Sequence, residues 1–199
     1  LMPVITAARV RLLTPEITGT GEDTTIEALI DAADAQIAQW CGIARASSGT
    51  YTLGSTAYVL REPDLHVAHD GRRVLLRVHN VTAWTSLYSD PLRAFGADTL
   101  VDSTTYETDA LMCAFDLLPS ATALTLERRG IKASVTAGWS TLPDDLEQAV
   151  AMQARHLFAL RRSQGQSSVS EGGVSVSLRD ETIPAAVAQA LAPYRIPVL

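Results

Sequence analysis

Residues 131–161, IKASVTAGWSTLPDDLEQAVAMQARHLFALR, change period partway along. Ile131, Ala133, Val135 and Ala137 alternate with Lys132, Ser134 and Thr136. That period of two predicts a strand over Ile131–Ala137 with one buried face. After Gly138-Trp139, Pro143 stands near a first helical position, and Asp144 and Asp145 suit the positive end of a helix. Leu146, Val150, Leu157 and Leu160, with Ala149 and Ala154 beside them, then form an apolar helical stripe, and Arg155, Arg161 and Arg162 lie toward its C-terminal end. A strand that feeds directly into a long amphipathic helix predicts an α+β fold.

Upstream, TTIEALIDAADAQIAQWCG predicts a second amphipathic helix over residues 24–41. Ile26, Leu29, Ile30, Ala33, Ile37 and Trp40 share one face, while Asp31, Asp34, Gln36 and Gln39 take the other. Thr24 with Glu27 reads as a capping box, and Gly42 as the stop. Thr6–Leu13 is expected to add one or two turns before a loop over Thr18–Asp23. Between the helical ends, the chain from about Thr50 to Trp139 is rich in Val, Thr, Tyr and Leu. Strands are expected at Ala57–Arg61, Arg73–His79, Val81–Tyr88, Thr99–Thr108 and Ala123–Arg128 besides 131–137, with hairpin turns at Asp70-Gly71 and Arg129-Gly130. Even spacing puts Trp84 and Tyr88 on one face of a strand. SQGQSSVSEGGVSVS, residues 163–177, is expected to be a flexible linker or weak extended arm. Pro184 opens a short final helix through Leu191, Pro193 ends it, and the tail Tyr194–Leu199 is extended. The expected fold is thus α+β: three to four helices, an inserted β-rich subdomain and a flexible C-terminal arm ending in a short helix. Its segments are residues 1–49, N-terminal bundle helices; 50–139, the insertion; 140–163, a bundle helix; and 164–199, arm, short helix and tail.

The 199 residues carry 16 Lys+Arg against 22 Asp+Glu, a net charge of −6. An acidic balance argues against a protein held to nucleic acid by a general basic surface. Lys132 is the one lysine. Cys41 and Cys113 are too few for a disulfide framework, lack metal spacing and read as buried small hydrophobes of a reduced compartment. No apolar run reaches the roughly 18–20 residues of a membrane span. Leu1–Leu13 contains Arg9 and Arg11 and does not read as a signal peptide.

Catalytic constellations are not apparent. His66 and His69 form H-x-x-H, whereas a zinc helix uses H-x-x-x-H with a Glu between. A metal site built from His66, His69 and His79 is the basis of one alternative, a small cytoplasmic metal-dependent enzyme. There is no nucleophile elbow at Gly54-Ser55 or Gly138-Trp139-Ser140, and Gly19-Thr20-Gly21 is no phosphate loop. Asp144-Asp145 has helix-start duty, and Asp64, Asp70, Asp102 and Asp109 are scattered through turns. The expectation is a non-enzymatic binding or structural protein with no cofactor and no metal. A generic protein-binding module is the other alternative.

The order of these pieces resembles the head–tail connector (adaptor) family of tailed phages and gene transfer agents. The resemblance runs in order from about Val4 to Arg195. It rests on TTIEALIDAADAQIAQWCG, on the strand ending in Thr-Ala-Gly-aromatic before a Pro-led helix, on IPAAVAQALAPYR and on the terminal Leu191–Arg195. It implies a small helical bundle with an inserted β-rich subdomain, and a dodecameric ring beneath the portal protein that extends the DNA channel and offers a surface to stopper or tail proteins. DNA would pass through without sequence-specific binding, and no membrane would be involved. It further implies a place in the virion, at the head–tail interface, after assembly in the host cytoplasm. By position, the portal contact falls on Pro184–Leu199, with Val187, Leu191, Tyr194, Arg195 and Ile196 as its residues. The β-rich block is long for that family.

Overall fold

The computed structural model describes residues 5–13, 21–126, 129–162, 168–171, 174–177 and 182–196. Among the described residues the fold is α+β, with four α-helices and antiparallel sheets. The helices are α1 (Ala7–Leu13), α2 (Asp23–Trp40), α3 (Asp144–Arg162) and α4 (Ala185–Ala190). The strands are β1 (Thr56–Leu60), β2 (Leu65–Val67), β3 (Arg73–Leu76), β4 (Val81–Ser89), β5 (Tyr106–Asp109), β6 (Ala114–Leu117), β7 (Ile131–Ala137), β8 (Ser168–Glu171) and β9 (Val174–Ser177). The chain forms two compact units, Leu1–Ile37 with Leu142–Tyr194, and Ala38–Thr141 with Arg195–Leu199.

The first unit is helical. Ile26, Ile30 and Ala33 of α2 are buried, as are Leu146, Ala149, Val150 and Ala154 of α3. Full burial of an Ile or Leu side chain contributes about 1.5–3 kcal/mol, so this stripe supplies much of the unit's cohesion. Two positions break the expected pattern. Asp34 is buried rather than on a wet face, and Gln153 is wholly buried in mid-helix. Gln153 Nε2 donates to Gln36 Oε1 at 2.7 Å and to the Thr182 carbonyl at 2.8 Å. One amide thereby ties α2, α3 and the approach to α4 together. Exposed ion pairs add Arg9–Glu147 at 2.6 Å and Arg161–Glu22 at 3.0 Å, each a minor term at such exposure.

The second unit holds a three-stranded sheet, β1-β7-β4, and a four-stranded sheet, β2-β3-β6-β5, all antiparallel. β7 alternates as expected: Ile131, Ala133, Val135 and Ala137 are buried between less buried neighbours. The Asp70-Gly71 turn joins β2 to β3, with Gly71 at φ +67. Trp84 of β4 meets Phe115 of β6 edge-on at 4.7 Å between centroids, and Tyr106 meets Phe115 at 5.2 Å. Lys132 lies over the rings of Tyr88, at 3.9 Å, and Phe95, at 4.8 Å.

Several expectations are corrected. α2 begins at Asp23, where the Ile26 amide donates to the Glu22 carbonyl, so Thr24 sits inside the first turn and is not the cap. The strand expected over 73–79 stops at Leu76, because the Arg77 amide turns to the Asp64 carbonyl and Asn80 takes φ +50. Trp84 and Tyr88 face opposite ways. Trp84 pairs with Val135 on the buried face and Tyr88 with Lys132 on the other, since a bulge lies between Trp84 and Ser86. One extra residue inverts every later side chain. The expected strand 99–108 is two 3₁₀ turns followed by β5, the Asp102 carboxylate capping the second at the Thr104 amide. Residues 121–126 form no strand; the Leu124 amide bonds Gly71 and the Thr125 amide the Ser89 hydroxyl instead. β2 and β6 were not anticipated. In the Ser/Gly stretch, β8 and β9 pair as a two-stranded ladder rather than an extended arm, with Val169 opposite Val176. Pro193 sits inside a 3₁₀ turn, Ala192–Tyr194, rather than ending helical structure. Of the loop expected over 18–23, residues 18–20 lie outside those described, Gly21 and Glu22 form a turn, and Asp23 already opens α2.

Candidate functional site

The C-terminal segment is built in three steps. Pro184 fixes the entry to α4: its φ is −59 and its carbonyl accepts the Ala188 amide. Val187 and Leu191, one helical turn apart, are both fully buried, and α4 packs on α3. Six residues are too few for a helix to persist alone in water, so this burial holds α4 in place.

Tyr194 follows. Its hydroxyl lies 2.8 and 2.7 Å from the two Asp145 carboxylate oxygens, at the first turn of α3. Burial, then the hydrogen bond to Asp145 and that residue's charge, push the phenol up to about 12. Asp145 thus anchors the chain end as well as suiting the start of α3, where its Oδ1 accepts the Leu146 amide.

Arg195 and Ile196 then cross the end of α2. Gly42, at φ +80, closes that helix: its amide donates to the Gln39 carbonyl and the Ile43 amide to the Ala38 carbonyl. This double bond pattern is a left-handed helix stop that glycine alone adopts without strain. The Ile196 amide donates to the Cys41 carbonyl at 2.8 Å, which satisfies one of the open C-terminal carbonyls of α2. The Arg195 guanidinium lies 5.1 Å from the centroid of the Trp40 ring, a cation placed at a helix C-terminus. Burial pushes the Cys41 thiol up to about 11 against the opposing pull of Arg195, so it remains a neutral buried thiol. Of the five residues singled out by sequence, Val187 and Leu191 face inward, Tyr194 and Ile196 are half-buried, and Arg195 is exposed.

The three histidines do not form a metal site. His66 is exposed on β2, His69 is exposed in the following turn, and His79 stacks on Trp139 at 5.7 Å. Among the described residues, no group of three or more His, Cys, Asp and Glu could hold a metal ion. The scattered carboxylates organise turns instead. Asp70 accepts the Arg72 amide, and Asp109 accepts the Met112 amide and pairs with Arg73 at 3.0 Å. Asp90 accepts the Phe95 amide at 2.7 Å and the Leu92 amide at 2.8 Å, bonds that hold its carboxyl below the usual range. An open cavity of about 310 Å³ in the β-rich unit, which the sequence did not signal, is walled by Leu65, Val67, Leu126 and Ile131, with Glu62, His66 and Arg129 beside them.

No family model and no curated protein matches this sequence. Solved structures do. A chain of the neck of the empty gene transfer agent particle, computed with C6 symmetry, is 24% identical with a TM-score of 0.60, over 100% of this chain and 91% of that one. A chain of the neck of the native particle, computed with C12 symmetry, is 22% identical with a TM-score of 0.57, over 96% of this chain and 89% of that one. A chain of the native gene transfer agent virion is 23% identical with a TM-score of 0.57, over 100% and 91%. This chain therefore has the fold of a protein found in the neck of gene transfer agent particles, along nearly its whole length.

Proposed function

We propose that this chain is a structural, non-enzymatic head–tail connector of a tailed phage or gene transfer agent. It forms a ring, dodecameric in the particle, beneath the portal protein, extends the DNA channel and offers a surface to stopper or tail proteins. The observation that carries the reading is the likeness to neck chains over nearly the full length of both partners. The cyclic symmetries of those necks support a ring. The net charge of −6 fits a channel component, since repulsion opposes adhesion of a passing polyanion.

The portal contact falls on residues 184–199. Val187 and Leu191 seat the segment, while Tyr194, Arg195 and Ile196 are the groups it offers. Arg195, exposed and held over Trp40, is the anchor best suited to a partner surface. Removing the whole segment would also remove a buried part of the helical unit, so point changes test the idea more cleanly. Arg195→Glu combined with Ile196→Asp, in a chain whose circular dichroism is unchanged, is expected to abolish co-sedimentation with assembled portal rings. Undiminished co-sedimentation would remove this segment from the contact.

A further inference from the structure

The β5–β6 turn has an unusual tip. Turn tips normally carry Gly, Asn, Asp or Ser, but here Leu111 is 91% exposed and Met112 53%. The tip is also held in shape. The Met112 amide donates to Asp109 Oδ1 at 3.0 Å, Asp109 is paired with Arg73, and Cys113 closes the turn at φ +50. Two large apolar side chains thus project from a fixed turn.

The same sheet carries a matching hole. In the order β2-β3-β6-β5, the turn belongs to one edge and β2 is the opposite edge. The cavity of about 310 Å³ lies at β2, with Leu65, Val67 and Ile131 on its walls and Leu126, 60% exposed, among its lining. That volume sits at the small end of the roughly 300–1,000 Å³ of binding pockets, a size for a pair of aliphatic side chains.

We infer that Leu111 and Met112 of one subunit insert into the Leu65–Val67–Leu126–Ile131 cavity of a second copy of this chain. A projection and a hole on opposite edges make a head-to-tail contact, the kind that builds a cyclic ring when its rotation closes and never a two-fold dimer. The inference rests on the ring-forming connector reading and names the contact that builds the ring.

The test is covalent trapping. Leu111→Cys and Leu126→Cys are combined in the full-length chain; both sites are exposed, and the native Cys41 and Cys113 are buried. The protein is oxidised mildly, alone at high concentration and on assembled portal rings, while portal binding is scored separately by co-sedimentation. A ladder of covalent multimers from the double variant is expected. Neither single variant should give more than traces, nor should Leu111→Cys paired with Val59→Cys. Absence of a ladder in both settings, or a ladder from Leu111→Cys with Val59→Cys, overturns the contact. Portal binding without a ladder refutes the contact alone, whereas a ladder without portal binding refutes the portal reading and leaves the contact standing.

Discussion

Gly138 shows how one residue ties a sequence pattern to geometry. It has φ +99, and a Cβ there would run into the Gly54 carbonyl. Its amide donates to the His79 carbonyl, the Asn80 side-chain amide donates to its carbonyl, and Trp139 and Ser55 exchange backbone bonds around it with the Leu53 and Trp139 carbonyls. The glycine in Thr-Ala-Gly-Trp is therefore where the end of β7 passes hard against the Leu53–Ser55 segment. Gly138→Ala is expected to cost about 2–4 kcal/mol, the left-handed backbone penalty plus overpacking, as read by urea unfolding. Tyr194 supplies a second prediction at this scale. Its folded pKa, pushed up to about 12, lies above the unfolded value near 10. Stability from the Tyr194–Asp145 contact is then complete below about pH 10 and lost as pH rises through the folded value. In a phenolate absorbance titration, one tyrosine that disappears in Tyr194→Phe should titrate late, and Asp145→Asn should bring it back toward the ordinary range.

At the scale of elements, periodicity located what is long and one-sided. α2, α3 and β7 lie within a residue or two of where their apolar spacing placed them. Short pieces were illegible for physical reasons. β2 has three residues and β6 reads Ala-Phe-Asp-Leu, too brief to show a period against the surrounding turns. The bulge in β4 carries no residue signal, so even spacing places Trp84 and Tyr88 on one face whereas they occupy two. Gln153, which carries no signal in the sequence, is a buried tie to Gln36 and Thr182. For α4, Val187 and Leu191, expected from the sequence among the portal-contact residues, are instead fully buried within this chain. Leu191→Ala should cost about 2–5 kcal/mol if the helix stays docked. Because six residues cannot hold a helix alone, the alternative result is local release, seen as loss of amide-exchange protection confined to residues 185–194. An unchanged exchange pattern with unchanged stability would contradict the packing described.

For the whole molecule, the sequence pointed to α+β architecture through the order of its periods, and the cysteines are free and buried. What it could not reveal depends on chain segments distant in sequence. The crossing of α2 by Arg195 and Ile196, the seat of Tyr194 on Asp145 and the cavity at β2 each join residues about 50 or more positions apart. The central claim, that the chain is a connector ring docked on a portal, is tested most directly by mixing it with its cognate portal rings. Size exclusion with light scattering gives the mass, and negative-stain microscopy the shape. The account predicts a stable complex with ring-shaped density added to one face of the portal. A monomer that ignores an assembled portal would contradict it.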